Sequence, residues 1–242
     1  MPLNLPERPA KPVEAQKREY LYTDPEIKRR LMAGEQIFGT PGAALTWGIE
    51  GMTGGVVAAG GEGEKQVAKT LADYASKTPK ARIFHSVQWP GAGDGDTDHM
   101  LVLGNCVFII DAKRWKGSRK YSVTPKGEVL RGTVAFPEGK VKMLFAMQAW
   151  KKVLPPGVKV FGVVCIAQEK VFVPYDQNWQ KAPFKLVTDE KLEEFLTKIA
   201  ARQKPEMVEK MNPRLLTEIA RLVIKPRNRR AEVINLGAMG RG

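Results

Sequence analysis

The sequence predicts an α/β domain built on a mixed β-sheet, and three observations predict it. A helix pattern, a run of strand-like segments, a second helix, an apolar strand and a third helix follow one another through the middle of the chain. Gly104-Asn105 separates two apolar runs, the signal of a two-residue hairpin. The stretch "VKVFGVVCIAQ", residues 158–168, is apolar almost without interruption, as a strand covered on both faces is. With 242 residues, 43% hydrophobic and 27% charged, the chain can bury one sizeable core and still carry arms.

The elements are expected in the following order. Residues 1–20 are polar and proline-rich and read as an extended arm. "DPEIKRRLMA" reads as a short helix with Asp24 as N-cap and Pro25 in its first turn. The Gly-rich segment 34–61 is too apolar for a solvated spacer and is expected to pack on the domain or on a partner. "GEGEKQVAKTLADYASK" is a helix with an acidic first turn, which suits the positive helix end. Glu64 heads its apolar stripe, followed by Val67, Ala68, Leu71 and Tyr74. The strand "RIFHSVQW" and a Gly/Asp-rich loop lead to the hairpin strands "TDHMLVL" and "CVFIIDAK". Residues 118–139 read as a β-excursion. "KVKMLFAMQAWKKVL" is a helix with Val141, Leu144, Phe145, Gln148 and Lys152 on one face, taken as the inward one. Beyond the apolar strand, "KVFVPYD" and "FKLVT" read as short strands, and "TDEKLEEFLTKIAAR" as a helix capped by Thr188 or Asp189. An amphipathic helix around 213–223 precedes an Arg-rich tail.

Lys and Arg number 39 against 26 Asp and Glu, a net charge of +13 that favours a polyanionic partner such as nucleic acid. Cys106 and Cys165 both sit in apolar runs, which points to a reducing compartment and argues against a disulfide framework or a zinc knuckle. No signal peptide and no apolar run of membrane-spanning length are read, so the chain is expected in the cytoplasm, or with a virion if a phage encodes it.

The chemistry is expected at the far end of the hairpin. Strand side chains alternate, so Asp111 and Lys113 share a face, either as a surface ion pair or as two parts of a site. If Leu103 and Cys106 flank the turn, Asp98 lies opposite Asp111, with Cβ atoms roughly 5 Å apart. Two facing carboxylates repel unless a cation sits between them, and hard oxygens of this kind suit Mg²⁺ or Mn²⁺. The expected metal-binding set is Asp98, Asp111 and Glu64, and the expected catalytic set is Lys113, Glu64 and Gln148. Asp94 and Asp96 read as loop solvation, and His99, on the other face, as a structural hydrogen-bonding group.

The block "GEGEKQVAKTL … GDTDHMLVLGNCVFIIDAKRWKG … AMQAW" resembles the NERD (nuclease-related) domain, a branch of the PD-(D/E)xK nucleases. Glu64, Asp98, Asp111, Lys113 and Gln148 fall on its motif, as do Trp115 and Gly117. The resemblance implies a restriction-endonuclease-like αβββαβ core over residues 59–200, with an N-terminal arm (1–58) and a C-terminal helix and basic tail (201–242). It also implies metal-dependent hydrolysis of DNA with little sequence specificity. Arg114, Lys116, Arg119, Lys120, Arg227, Arg229 and Arg230 are the basic residues expected to meet the DNA backbone. Two other readings stand beside it: a structural or adaptor piece of a phage or nucleoprotein assembly, touching a protein partner through 34–61 and the tail, and a DNA-binding module without turnover.

Overall fold

The computed structural model describes residues 18–47, 54–91, 95–136 and 142–227. Its elements in chain order are α1 (Asp24–Met32), β1 (Ile37–Phe38), a 3-10 turn (Ala44–Trp47), α2 (Gly54–Lys77), β2 (Arg82–Gln88), β3 (Asp96–Leu103), β4 (Cys106–Lys113), β5 (Tyr121–Val123), β6 (Val129–Arg131) and β7 (Val134–Ala135). There follow α3 (Met143–Val153), β8 (Lys159–Ile166), α4 (Gln177–Lys181), β9 (Lys185–Thr188), α5 (Asp189–Ala201), α6 (Pro205–Val208) and α7 (Pro213–Ala220).

Six strands form one mixed sheet in the order β1-β2-β3-β4-β8-β9. β2, β3 and β4 are an antiparallel meander, while β8 joins β4 in parallel and β9 joins β8 in parallel. Within this sheet, α2, β2, β3, β4, α3 and β8 supply the expected αβββαβ order. β5, β6 and β7 make a separate three-stranded sheet where a β-excursion was expected.

The pleat sorts β3 and β4 into two cores. Met100, Val102, Val107 and Ile109 face α3 and α7 through Met143, Ala146, Met147, Trp150, Leu215 and Ile219. Leu101, Leu103, Cys106, Phe108 and Ile110 face α2 and α5 through Val67, Leu71, Leu192 and Leu196. β4 is thus apolar on both faces, which parallel pairing to β8 requires. The Gly104-Asn105 turn forms as expected, with Gly104 at φ +55° and Leu103 paired with Cys106.

Several expectations need correction. Thr23, not Asp24, is the N-cap of α1, and its N–H donates to the Glu26 carboxylate at 3.0 Å. α2 begins at Gly54, so its helix runs through the 58/59 division and Glu64 is not in the first turn. A Cβ on Gly60 or Gly61 would lie 3.9 or 3.8 Å from Leu45 and one on Gly63 3.6 Å from Arg114, ordinary contact distances, so packing does not require glycine at these helical positions. Residues 171–173 form no strand, only a bridge between Phe172 and Lys120. The segment 37–47 packs on the protein's own domain, burying Phe38 and Ala43, with Phe38 stacked on Phe84. Full burial of one such phenyl ring contributes about 2–3 kcal/mol. Leu21 N–H donates to Val223 O and Lys225 N–H to Glu19 O, while Ile224 N–H reaches Ser86 O. Both ends of the described chain therefore close the β2 edge of the sheet.

Candidate active site

β3 and β4 stay paired from the turn as far as His99 and Ile110 and then part. Beyond that point β3 pairs only with β2 through Thr97 and Asp96, while β4 pairs only with β8 through Asp111, Ala112 and Lys113. Asp98 and Asp111, the next pair in register, sit in the fork. Asp98 fills the gap left by the missing ladder bond: its Oδ2 accepts the Ala112 N–H at 2.7 Å. Lys113 turns back and donates from Nζ to Asp111 Oδ1 at 2.6 Å and to the Ala112 carbonyl at 3.3 Å. The two carboxylates and the ammonium thus meet on one side of the sheet, as the turn register predicts.

Glu64 reaches this cluster from α2. It is 5% exposed, and its Oε2 accepts the Gly42 N–H at 2.8 Å. Burial and the neighbouring Asp96 charge push its carboxyl up to about 7, against the pull of the Gly42 hydrogen bond and Lys113. Asp98 is raised well above the ordinary carboxylate range, first by burial and then by the charges of Asp111 and Glu64. Burial alone would lower Lys113, but the Asp111 and Asp98 charges outweigh it and hold the ammonium above its usual pKa. Lys113 therefore stays cationic throughout the physiological range.

Asp96 belongs to the cluster and was missed. Two residues before Asp98 on the same strand, it shares that face, and its alternation with Asp98 was the available signal. Burial raises its pKa and the Asp111 charge adds to this, while Arg18 opposes through a 3.2 Å contact to Oδ1. Asp96, Asp111 and Lys113 line a cleft of about 270 Å³, together with Trp89, Lys142 and Met143.

Gln148 does not reach the site. α3 turns Met143, Ala146, Met147 and Trp150 inward and leaves Gln148 exposed, in a neighbouring pocket with Phe145 and Lys152. The helix is apolar over much of its circumference, so its inward stripe was misread by one residue, about 100° of rotation. His99 is buried on the opposite face, and its Nδ1 is 2.8 Å from His85 Nδ1. Burial brings His85 down to about 4 and His99 well below its ordinary value, so both are neutral and their contact is structural.

Arg114, Lys116, Arg119 and Lys120 are all exposed on the segment that follows β4. That segment is braced by Trp115, 9% exposed and packed 5.1 Å from the Tyr121 ring and 5.3 Å from Phe136. Gly117 is needed because a Cβ there would come 2.7 Å from the Glu169 carbonyl. Arg227 sits on the 3-10 turn: its guanidinium is 5.6 Å from the Trp47 ring and its N–H donates to Thr46 Oγ1. Arg229, Arg230 and Asp94 lie outside the described residues.

Residues 59–167 match the family model of the nuclease-related domain, NERD. Over that stretch the chain is similar to the nuclease-related domain. The match spans α2 from its sixth residue to the end of β8, and so contains Glu64, Asp98, Asp111 and Lys113 with all the elements that hold them. Comparison with curated proteins and with solved structures found no match. The similarity of residues 59–167 is accordingly to a nuclease-related domain, and no helix among the described residues is long and apolar enough to cross a membrane.

Proposed function

We propose that this domain hydrolyses DNA phosphodiester bonds with the help of a divalent cation, Mg²⁺ or Mn²⁺, and with little sequence preference. The observation that carries this reading is the fork, in which Asp98 and Asp111 lie side by side with Lys113 bonded to the second. Two partly buried carboxylates repel each other, and a cation between them removes that cost. The donor set fits such an ion. Asp98 Oδ1 and Asp111 Oδ2 are hard oxygens without a hydrogen bond among the described residues. No three His, Cys, Asp or Glu side chains among the described residues converge as a ready metal cage. Mg²⁺ is commonly held by one or two carboxylates and keeps several waters, and Asp98 and Asp111 are the pair that would hold it. Glu64 would then act through water or through its charge.

When bound, the ion supplies a lower pKa for water and neutralisation of charge on the phosphoryl oxygens. The chain's own groups do the rest. Lys113, held protonated by Asp111 and Asp98, offers a fixed positive charge to a phosphate oxygen at which negative charge develops. Glu64, shifted to about 7, exchanges a proton near neutral pH. Arg114, Lys116, Arg119 and Lys120 offer the backbone contacts that position DNA without reading its sequence.

The test is incubation of the purified protein with plasmid and linear DNA in Mg²⁺, Mn²⁺ or EDTA, beside Asp111→Asn and Lys113→Ala. Cutting that needs the metal and is lost in both variants is expected. Wild-type protein that binds DNA but never cuts it would reduce the reading to a binding module, and protein that does neither would overturn it.

A further inference from the structure

A second pocket, about 440 Å³, opens beside the catalytic cleft and shares Trp89 and Lys142 with it. The two together form one trough. It runs from Asp111 and Lys113, past the Trp89 indole, onto the outer face of α3 at Phe145, Gln148 and Lys152. Four observations describe it. Phe145 is 70% exposed, which is unusual for a phenyl ring with an apolar core one helix face away. Trp89 is held rigidly, because its Nε1–H donates to Thr97 Oγ1 at 3.0 Å and a Cβ on Gly95 would come 2.4 Å from the ring. Lys142 and Lys152 both line this second pocket, and among the described residues no carboxylate does. Ten residues of helix separate these lysines, on the order of 15 Å, the length of a short run of nucleotides.

We infer that this trough takes a single-stranded segment of nucleic acid flanking the scissile phosphate, so that the substrate class is DNA with a single-stranded or frayed flank. The inference rests on the nuclease reading of the fork and sharpens it. An aromatic ring standing free in a basic groove stacks on any unpaired base, whichever it is, while the lysines follow the phosphates. Bases inside an intact duplex are already stacked on one another and cannot reach such rings. Gln148 gains a use here: from the trough wall it can hydrogen-bond a base edge or a sugar. Continuity with the cleft fixes the order of events along the strand, because the nucleotide stacked on Trp89 is the one nearest the phosphate at Lys113.

The experiment measures anisotropy of labelled single-stranded and duplex oligonucleotides of one length and sequence, in EDTA, with wild type, Phe145→Ala and Phe145→Trp. Phe145 is exposed, so both variants are expected to fold, and circular dichroism checks this. Phe145→Ala should weaken single-strand binding roughly 5- to 100-fold, Phe145→Trp should restore it, and duplex binding should change little. Lys142→Gln with Lys152→Gln should flatten the salt dependence of log K by about 1.4. Single-strand affinity insensitive to Phe145→Ala, or duplex bound as tightly as single strand, would overturn the inference; the latter, or a protein partner that competes for Phe145, would mark α3 as a surface of another kind. Cleavage without Phe145 dependence sinks the trough alone, whereas Phe145-dependent binding by a wild-type protein that never cuts sinks only the catalytic reading.

Discussion

The two ends of the β3–β4 hairpin are built from the same pair of strands and differ in how their polar groups are met. At the turn everything is closed. Asn105 N–H donates to Met207 O and its carbonyl accepts Lys159 N–H, while its Oδ1 accepts the Asn212 amide at 2.8 Å. At the fork the ladder stops, and a side chain, Asp98, takes over the N–H of Ala112. Four acids and a lysine gather where the strands diverge, and burial and mutual charge move the pKa values of Glu64, Asp96, Asp98 and Lys113 off their ordinary range. Strand pairing satisfies the backbone at one end and leaves a polar, partly open notch at the other. A site needs the second condition, and the rigid first end keeps it in register.

The largest effect is expected from breaking the fork. Asp111→Asn keeps the shape of the side chain and removes both the negative charge and the anchor of Lys113. DNA cleavage should fall on the order of 10²–10³-fold, as the loss of one preorganised electrostatic group does. Denaturation midpoints of wild type and variant, taken side by side, separate this loss from unfolding. Activity within tenfold of wild type would remove Asp111 from the mechanism.

Breaking the turn should do the reverse, lowering stability and sparing chemistry. Gly104 sits at φ +55°, and a Cβ there would come 2.3 Å from the Met207 carbonyl, a backbone atom that cannot swing aside. Gly104→Ala should therefore cost about 3 kcal/mol by urea denaturation. The protein that remains folded should cut at the wild-type rate.

The fork should also give the fold a pH dependence that the turn lacks. Glu64 is a buried acid whose folded pKa, about 7, lies above its ordinary 4.5. The folded state binds its proton more tightly, so its contribution is fully present below pH 4.5 and is lost as pH rises through 7. The difference is on the order of 3 kcal/mol between pH 4.5 and pH 8. Glu64→Gln should flatten that part of the stability profile, measured by urea denaturation across the range. Mg²⁺ should stabilise wild type more at pH 8 than at pH 5, because protons on the raised Asp98 carboxyl compete with the cation for its oxygens.

What was legible in the sequence follows the same division. The hairpin register could be read because a two-residue Gly-Asn turn leaves one pairing, and pleat alternation then put Asp98, Asp111 and Lys113 together. Alternation would have given Asp96 as well, but the Gly and Asp around it read as loop. Gln148 was assigned inward because Val141, Leu144 and Phe145 make as good a stripe as Met143, Met147 and Trp150, and only the sheet decides between them. The helical run of glycines in α2 was unreadable for a physical reason. Glycine disfavours a helix locally, so a glycine-rich stretch does not announce one, and tertiary context overrides that local preference. The sealing of the β2 edge by residues 18–22 and 222–225 joins segments about two hundred positions apart, which no local pattern reports.

The smallest effect tests how far the turn's rigidity reaches. Asn212 caps α7, its Oδ1 accepting Leu215 N–H at 3.1 Å, and its Nδ2 donates to Asn105 across the turn. One side chain thus ties a helix that packs against the α3 side of the sheet to the loop that sets the register of the fork. Asn212→Ala removes both bonds and should cost about 1–2 kcal/mol, the ordinary loss of an N-cap plus one neutral hydrogen bond. Asn212→Asp keeps the cap and loses only the cross-turn donor, so it should recover about half of that. If Asn212→Asp were as damaging as Asn212→Ala, the bond to Asn105 would carry the effect and the turn would depend on α7. If instead it matched wild type, the turn would be held by its backbone bonds to Met207 and Lys159 alone.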